Sequence, residues 1–142
     1  MKVAIIGAGP IGLYFAWLCE QRNIDYAIFE ADSFIGGQLT HLYPEKIIYN
    51  IPGFESVKSA DYIALLASKV DSSKIRLGIK INSLDELKTS YDEIIIATGI
   101  GEYQPRKLGL ENEDKYNVLY SLKDYAFLKN KKIIVFGGGD SA

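Results

Sequence analysis

The sequence predicts an α/β fold of the doubly wound kind, a parallel sheet covered by helices. Three observations point there. Short apolar runs recur without polar alternation, a glycine-rich turn joins the first run to an apolar helix, and the elements read β-α-β and then α-β-β. Val3–Ile6, Tyr26–Phe29, Ile94–Ala97 and Ile133–Phe136 are the runs, and each reads as a strand buried on both faces.

Taken in order, Val3–Ile6 leads through "GAGPIG" into Pro10 to Arg22, which is apolar almost all round, as a helix packed on a sheet should be. Tyr26–Phe29 follows and closes on the acid Glu30. A second helix is expected from Ser59, a good N-cap, to about Val70, with Ile63, Leu66, Ala67 and Val70 on one face. "KIRLGIKI" (Lys74–Ile81) reads as another strand, while "SLDELKTS" (Ser83–Ser90) fits either a helical turn or a loop. Gly101 to Tyr116 carries Pro105 and many charges and reads as a connection between domains. Ile133–Phe136 then begins something new. The expected division is residues 1–114 in one domain and 115–142 as linker and start of the next.

Bulk properties narrow the class. Hydrophobic residues make up 48% and charged residues 24% of the 142, a globular composition sufficient for one core. A net charge of -2 gives no field for nucleic acid. The single cysteine, Cys19, excludes an intramolecular disulfide and fits a reducing compartment; inside an apolar helix it reads as a small core residue. Met1 and Lys2 lead directly into the first strand, too short a leader for a signal peptide, and no apolar run approaches the roughly 20 residues of a membrane span. The expectation is a soluble cytoplasmic domain.

Chemistry enters with the glycines. Gly7, Gly9 and Gly12 stand in the spacing G-x-G-x-x-G between strand and helix. Gly7 makes the tight turn, Gly9 leaves room for a pyrophosphate against backbone, and Gly12 lets the helix press on the sheet. Phosphates then meet the positive end of the helix. Glu30 lies about the right distance onward to accept hydrogen bonds from an adenosine ribose, and its charge disfavours a 2′-phosphate there. Gly137, Gly139 and Ala142 repeat the spacing as G-x-G-x-x-A, with Asp140 inside the turn. Two such turns predict two dinucleotides, one held as a prosthetic group and one exchanged, hence a flavoprotein that handles a nicotinamide cofactor and continues past Ala142.

With these motifs in view, the sequence resembles the flavoprotein reductases with two dinucleotide-binding folds, and within them the ferredoxin–NADP reductases of thioredoxin-reductase-like type. The matching pieces are "IIGAGPIGL", "FEADSFIGGQLTHLYPEKIIYNIPGF", "ATG" (Ala97–Gly99), "PRKLGLEN" (Pro105–Asn112) and "LKDYAFLKNKKIIVFGGGDSA", which cover most of the chain. The resemblance implies a Rossmann-like FAD-binding domain followed by the first strand of a Rossmann-like NADPH-binding domain. It implies that Gly7, Gly9, Pro10 and Ile11 line the FAD pyrophosphate and Glu30 its ribose. Gly36, Gly37, Gln38 and Leu39 would pass beside the ribityl chain and flavin. Tyr43 would stack on the isoalloxazine, with Asn50 near the ring, although by itself Tyr43 could simply cover a loop. Ile81 would present backbone to the adenine, and Thr98, Gly99 and Tyr103 would close over the cofactor. Gly137, Gly139 and Asp140 belong to the second turn, where NADPH is expected. His41 reads as a loop residue, and Arg106 and Lys107 as solvated charges at a domain junction.

The implied activity is electron transfer from NADPH through FAD to ferredoxin, in a protein that is a homodimer at full length. No C-x-x-C precedes the second turn: Leu119–Lys132 holds no cysteine, so a dithiol relay is chemically absent. Another acceptor, or a non-catalytic flavin-binding module or split subunit, are the alternatives. The chain departs from the family between Ile81 and Ile94, where "NSLDELKTSYDE" replaces a longer β-meander. By itself the 142-residue chain is expected to bind FAD weakly and not to turn over NADPH.

Overall fold

The structure, a computed structural model, describes residues 1–101, 107–115, 117–120 and 126–138. Strand β1 (Lys2–Ile6) leads to helix α1 (Pro10–Gln21) and strand β2 (Asp25–Phe29). A one-turn helix α2 (Gln38–His41) precedes the short strands β3 (Ile47–Ile48) and β4 (Val57–Lys58), which lead into helix α3 (Ser59–Ala67). Strand β5 (Ile75–Arg76), the one-turn helix α4 (Asp85–Lys88) and strand β6 (Glu93–Ile96) complete the domain.

The main sheet is parallel, in the order β5-β2-β1-β6. Its register runs from Lys2 opposite Asp25 to Ile6 opposite Phe29, and from Val3 opposite Glu93 to Ile6 opposite Ile96. The C-terminal ends of β1, β2 and β6 therefore meet at one edge, and α1 starts there. In open α/β sheets that edge is where ligands bind. A separate antiparallel pair, β3 with β4, sits beside it.

Alternation along each strand builds two cores. Val3, Ile5, Tyr26 and Ile28 face the helices and pack with Leu13, Ala16, Cys19, Ile63 and Leu66. Ala4, Ala27 and Phe29 face the other way, against Leu87 and Tyr91. Each fully buried Leu or Ile contributes about 1.5–3 kcal/mol. The strand runs lack polar alternation because both faces are covered, the second by little more than α4 and Tyr91. α1 starts with Pro10, whose fixed φ suits the first helical position, and Gly12, Leu13, Ala16 and Cys19 form its buried stripe. One polar cluster ties α1 to the sheet. The Tyr26 hydroxyl donates to Glu20 at 2.7 Å, and the Lys74 ammonium lies 3.7 Å from that carboxylate and 4.4 Å from the phenol centroid. Burial pushes the Tyr26 phenol well above its ordinary range, and its hydrogen bond holds the Glu20 carboxyl below the usual carboxylate range.

Several expectations change. The Lys74–Ile81 strand shrinks to Ile75–Arg76, because Gly78 turns the chain at φ +70°. The amides of Gly78 and Ile79 then donate to Asp32 and Glu30 carbonyls at 2.9 and 2.8 Å. Ser59 is not an N-cap but the first helical residue: Lys58 holds the cap position, and the Ser59 hydroxyl donates to the Lys46 carbonyl at 3.0 Å. Ser83–Ser90 contains the helical turn, fixed by a reciprocal cap in which the Ser83 hydroxyl accepts the Asp85 amide and the Glu86 carboxylate accepts the Ser83 amide. β6 is an edge strand, and Ile96 is 62% exposed rather than buried. Ile133–Phe136 is not a buried strand: no strand among the described residues pairs with it, and Ile134 is 81% exposed. Among the described residues, no helix is long and apolar enough to cross a membrane.

Candidate dinucleotide-binding site

At the sheet edge, Gly7 leaves β1 with φ +105°, and its amide donates to the Phe29 carbonyl at 2.8 Å. A Cβ on Gly7 would lie 2.4 Å from the Ala97 carbonyl oxygen, and one on Gly12 would lie 1.9 Å from the Gly7 carbonyl oxygen. Neither space admits a side chain. Gly9 is different: its backbone is ordinary extended chain at φ -70°, and a Cβ there meets nothing within 4 Å. Its bareness leaves open space in front of α1. The first turn of α1 has no side-chain cap and no acidic residue, so its leading amides face that space available to an anion.

Glu30 points into the same turn. Its carboxylate accepts the Ala8 amide at 2.7 Å and the Asp32 amide at 2.9 Å. One amide falls on each oxygen, and a carboxylate oxygen has capacity for a further donor such as a sugar hydroxyl. These amide bonds are a feature the sequence does not display, since any residue supplies an N–H.

The loop after β2 folds back onto the turn. Gly36 donates to the Ala8 carbonyl at 2.8 Å with φ +105°, and a Cβ on Gly37 would stand 3.3 Å from the Gly9 Cα. The two glycine segments thus lie face to face. Gln38 opens α2, and its amide nitrogen is 3.9 Å from where a Gly99 Cβ would stand, so Gly99 and Gln38 are brought together. Ala97, next to Thr98, abuts Gly7. At the start of α1 Pro10 is half-buried and Ile11 exposed, whereas Leu39 turns its side chain into the core. His41 ends α2 with its ring stacked on Phe34 at 5.8 Å.

Tyr43 and Asn50 come together as well. They line a cleft of about 380 Å³ with Lys46, Ile47, Ile48 and Tyr49. The Lys46 ammonium sits 5.4 Å from the Tyr43 ring centroid, and the Tyr43 hydroxyl makes a long 3.5 Å contact with the Gln38 amide oxygen. Lys46 was invisible as a site residue in the sequence, where it reads as one more exposed lysine.

The Ile81 side chain packs behind the sheet, lining a second cleft with Phe29, Leu87 and Tyr91. Gly137 has φ +117° in an exposed segment where a Cβ would meet nothing within 4 Å. Tyr103, Gly139 and Asp140 lie outside the described residues. Cys19 is a buried core residue, with its thiol pushed up by burial. Among the described residues no group of His, Cys, Asp and Glu could hold a metal ion.

Fold and turn together define a dinucleotide-binding domain of Rossmann type, and residues 5–54 match the NAD(P)-binding Rossmann-like domain. Over all of its length the chain is 40% identical to a ferredoxin–NADP reductase of Acholeplasma laidlawii, covering 48% of that protein. A ferredoxin–NADP reductase of Streptococcus mutans is 35% identical over 99% of this chain and 47% of its own. Among solved structures, the thioredoxin reductase of T. acidophilum superposes on 80% of this chain and 39% of its own, with a TM-score of 0.51 at 23% identity. The chain is thus similar to ferredoxin–NADP reductases along its whole length, and it spans about half the length of the curated relatives it matches.

Proposed function

We propose that the chain is the FAD-binding part of a reductase that carries electrons from NADPH through flavin to ferredoxin. The observation that supports this most is the pairing of two glycine segments over open space at the start of α1, with the Glu30 carboxylate aimed into the same turn. That cradle matches a pyrophosphate flanked by a ribose, and the relatives are named for this activity. In this reading residues 1–114 belong to the FAD domain and 115–142 lead into an NADPH domain. Gly7, Gly9, Pro10 and Ile11 hold the pyrophosphate, with Glu30 on the ribose. Gly36, Gly37, Gln38 and Leu39 flank the flavin chain. Tyr43 and Asn50 meet the ring, and the backbone at Ile81 the adenine. Thr98, Gly99 and Tyr103 close over the cofactor, and Gly137, Gly139 and Asp140 take NADPH. The whole protein acts as a cytoplasmic homodimer.

The flavin, when bound, supplies the conversion between a two-electron donor and a one-electron acceptor. The chain's own residues hold and orient. The α1 amides neutralise phosphate charge, Glu30 selects free ribose hydroxyls, and the bare backbone at Gly9 and Gly37 permits close approach. The lack of C-x-x-C in Leu119–Lys132 argues against a disulfide as internal relay.

Titration of the purified chain with FAD, followed by flavin fluorescence, tests the reading. Saturable binding is expected, and Glu30→Gln should weaken it roughly tenfold, the worth of a hydrogen bond to a charged group. Absence of any affinity for FAD in the unsubstituted chain overturns the proposal.

A further inference from the structure

We propose that Ser59 is a positioning residue for Tyr43, acting through the Lys46 turn; this rests on the flavin reading above. Ser59 is fully buried, with no exposed surface, and apart from Tyr26 and Tyr91 it is the one buried described residue that carries a hydroxyl. It does not cap its own helix. Instead both its donors go to one acceptor: the amide at 2.9 Å and the hydroxyl at 3.0 Å both meet the Lys46 carbonyl oxygen. The next amide, Ala60, donates to the Pro44 carbonyl at 3.0 Å.

Three donors at the start of α3 are thus spent on the Pro44–Lys46 segment. The same segment closes on itself, since the Lys46 amide donates to the Tyr43 carbonyl at 3.1 Å. Outside it, the Lys58 ammonium pairs with Glu45 at 2.7 Å, and Ile47 pairs with Lys58 across the small sheet. The result fixes the backbone of Tyr43 and Lys46 together, and their side chains meet with the ammonium 5.4 Å from the ring centroid. Lys46 lies over one face of the phenol ring, which leaves the other face for a flavin ring. The start of α3 thus acts on the Tyr43 ring through the Pro44–Lys46 backbone.

The Ser59 hydroxyl is the one buried aliphatic hydroxyl among the described residues, which makes it informative. An alanine would fill the same core as readily, and a serine needs a partner when buried. Here the partner is a carbonyl that already has one donor, so the hydroxyl adds rigidity to the turn rather than rescuing an orphan group.

The test reads ring geometry first without cofactor. In the NMR spectrum of the chain, the Lys46 ε-methylene should carry an upfield ring-current shift that Tyr43→Leu abolishes. Ser59→Ala should lower the equilibrium constant for closing the pinned turn about fivefold, the worth of one neutral hydrogen bond, and reduce that shift. If that variant fails to fold, Ser59→Cys, slightly larger and with a weaker donor, gives the same readout. With FAD added, the Tyr43-dependent quenching of flavin fluorescence should fall in step, while Lys46→Met leaves the turn closed. An unchanged shift in the folded Ser59 variants overturns the inference. A reduced shift with unaltered quenching also overturns it. No quenching in the unsubstituted chain, with the shift intact, removes the flavin reading and this inference with it.

Discussion

Two glycines, Gly7 and Gly137, follow apolar runs and open the same kind of motif. Their backbones are alike, at φ +105° and +117°. Their surroundings are not. Gly7 is pressed against the Ala97 carbonyl, while a side chain on Gly137 would meet open space. Local sequence is enough to bend the chain into the turn, since glycine alone tolerates that φ. It is not enough to make a phosphate cradle, which needs neighbours: a paired strand beneath, a carboxylate from β2 and an opposing loop. At the first motif all of these are present.

Substitution sharpens the contrast. Gly12→Ala should have the largest effect, because the new methyl would lie 1.9 Å from a backbone oxygen that cannot move without breaking the turn. A loss of about 3 kcal/mol or more in urea-unfolding stability is expected, at the upper end for overpacking. A stability loss under about 1 kcal/mol would mean the turn is as loosely held as the second one.

An intermediate effect is expected at the anchor that holds α1 to β2. The raised Tyr26 phenol makes folding favour its neutral form. The stability it contributes is complete below the ordinary tyrosine value of about 10 and is lost as pH rises beyond it. Tyr26→Phe should destabilise the fold by about 1 kcal/mol at neutral pH, through the lost hydrogen bond to Glu20, and flatten the alkaline fall in melting temperature. An unchanged alkaline slope in the variant would show that other groups carry it.

The smallest effect belongs to Gly137→Ala. With no described residue within 4 Å of a side chain at Gly137, the chain there can relax to a φ that alanine accepts, and a stability change below about 0.5 kcal/mol is expected. A large loss would reveal contacts that hold this glycine as Gly7 is held.

The same contrast explains what the sequence disclosed. β1, α1, β2 and the first glycine turn were legible because their signals are local: uninterrupted apolar runs, fixed glycine spacing and an acid at the strand end. Residues far apart in the chain decide the rest. Ile133–Phe136 has the composition of a strand but pairs with none among the described residues, and composition cannot supply a ladder partner. "KIRLGIKI" has strand propensity on both sides of Gly78, yet the backbone there turns to bond Glu30 and Asp32. Ser59 carries the residue type of a cap and uses its hydroxyl on a loop thirteen positions earlier. The Tyr43–Asn50 pairing followed from a resemblance rather than from spacing, and the Lys46 contact followed from neither.

Ala8 receives the chain from both directions: its amide binds Glu30, and its carbonyl takes the amide of Gly36. The stretch from 31 to 35 is consequently tethered at its two ends to a single alanine, and it works as a ruler. Lengthening or shortening it by one residue would drag Gly37 off register with Gly9, so natural insertions should be absent from this stretch and tolerated instead around the exposed Gly53 bend.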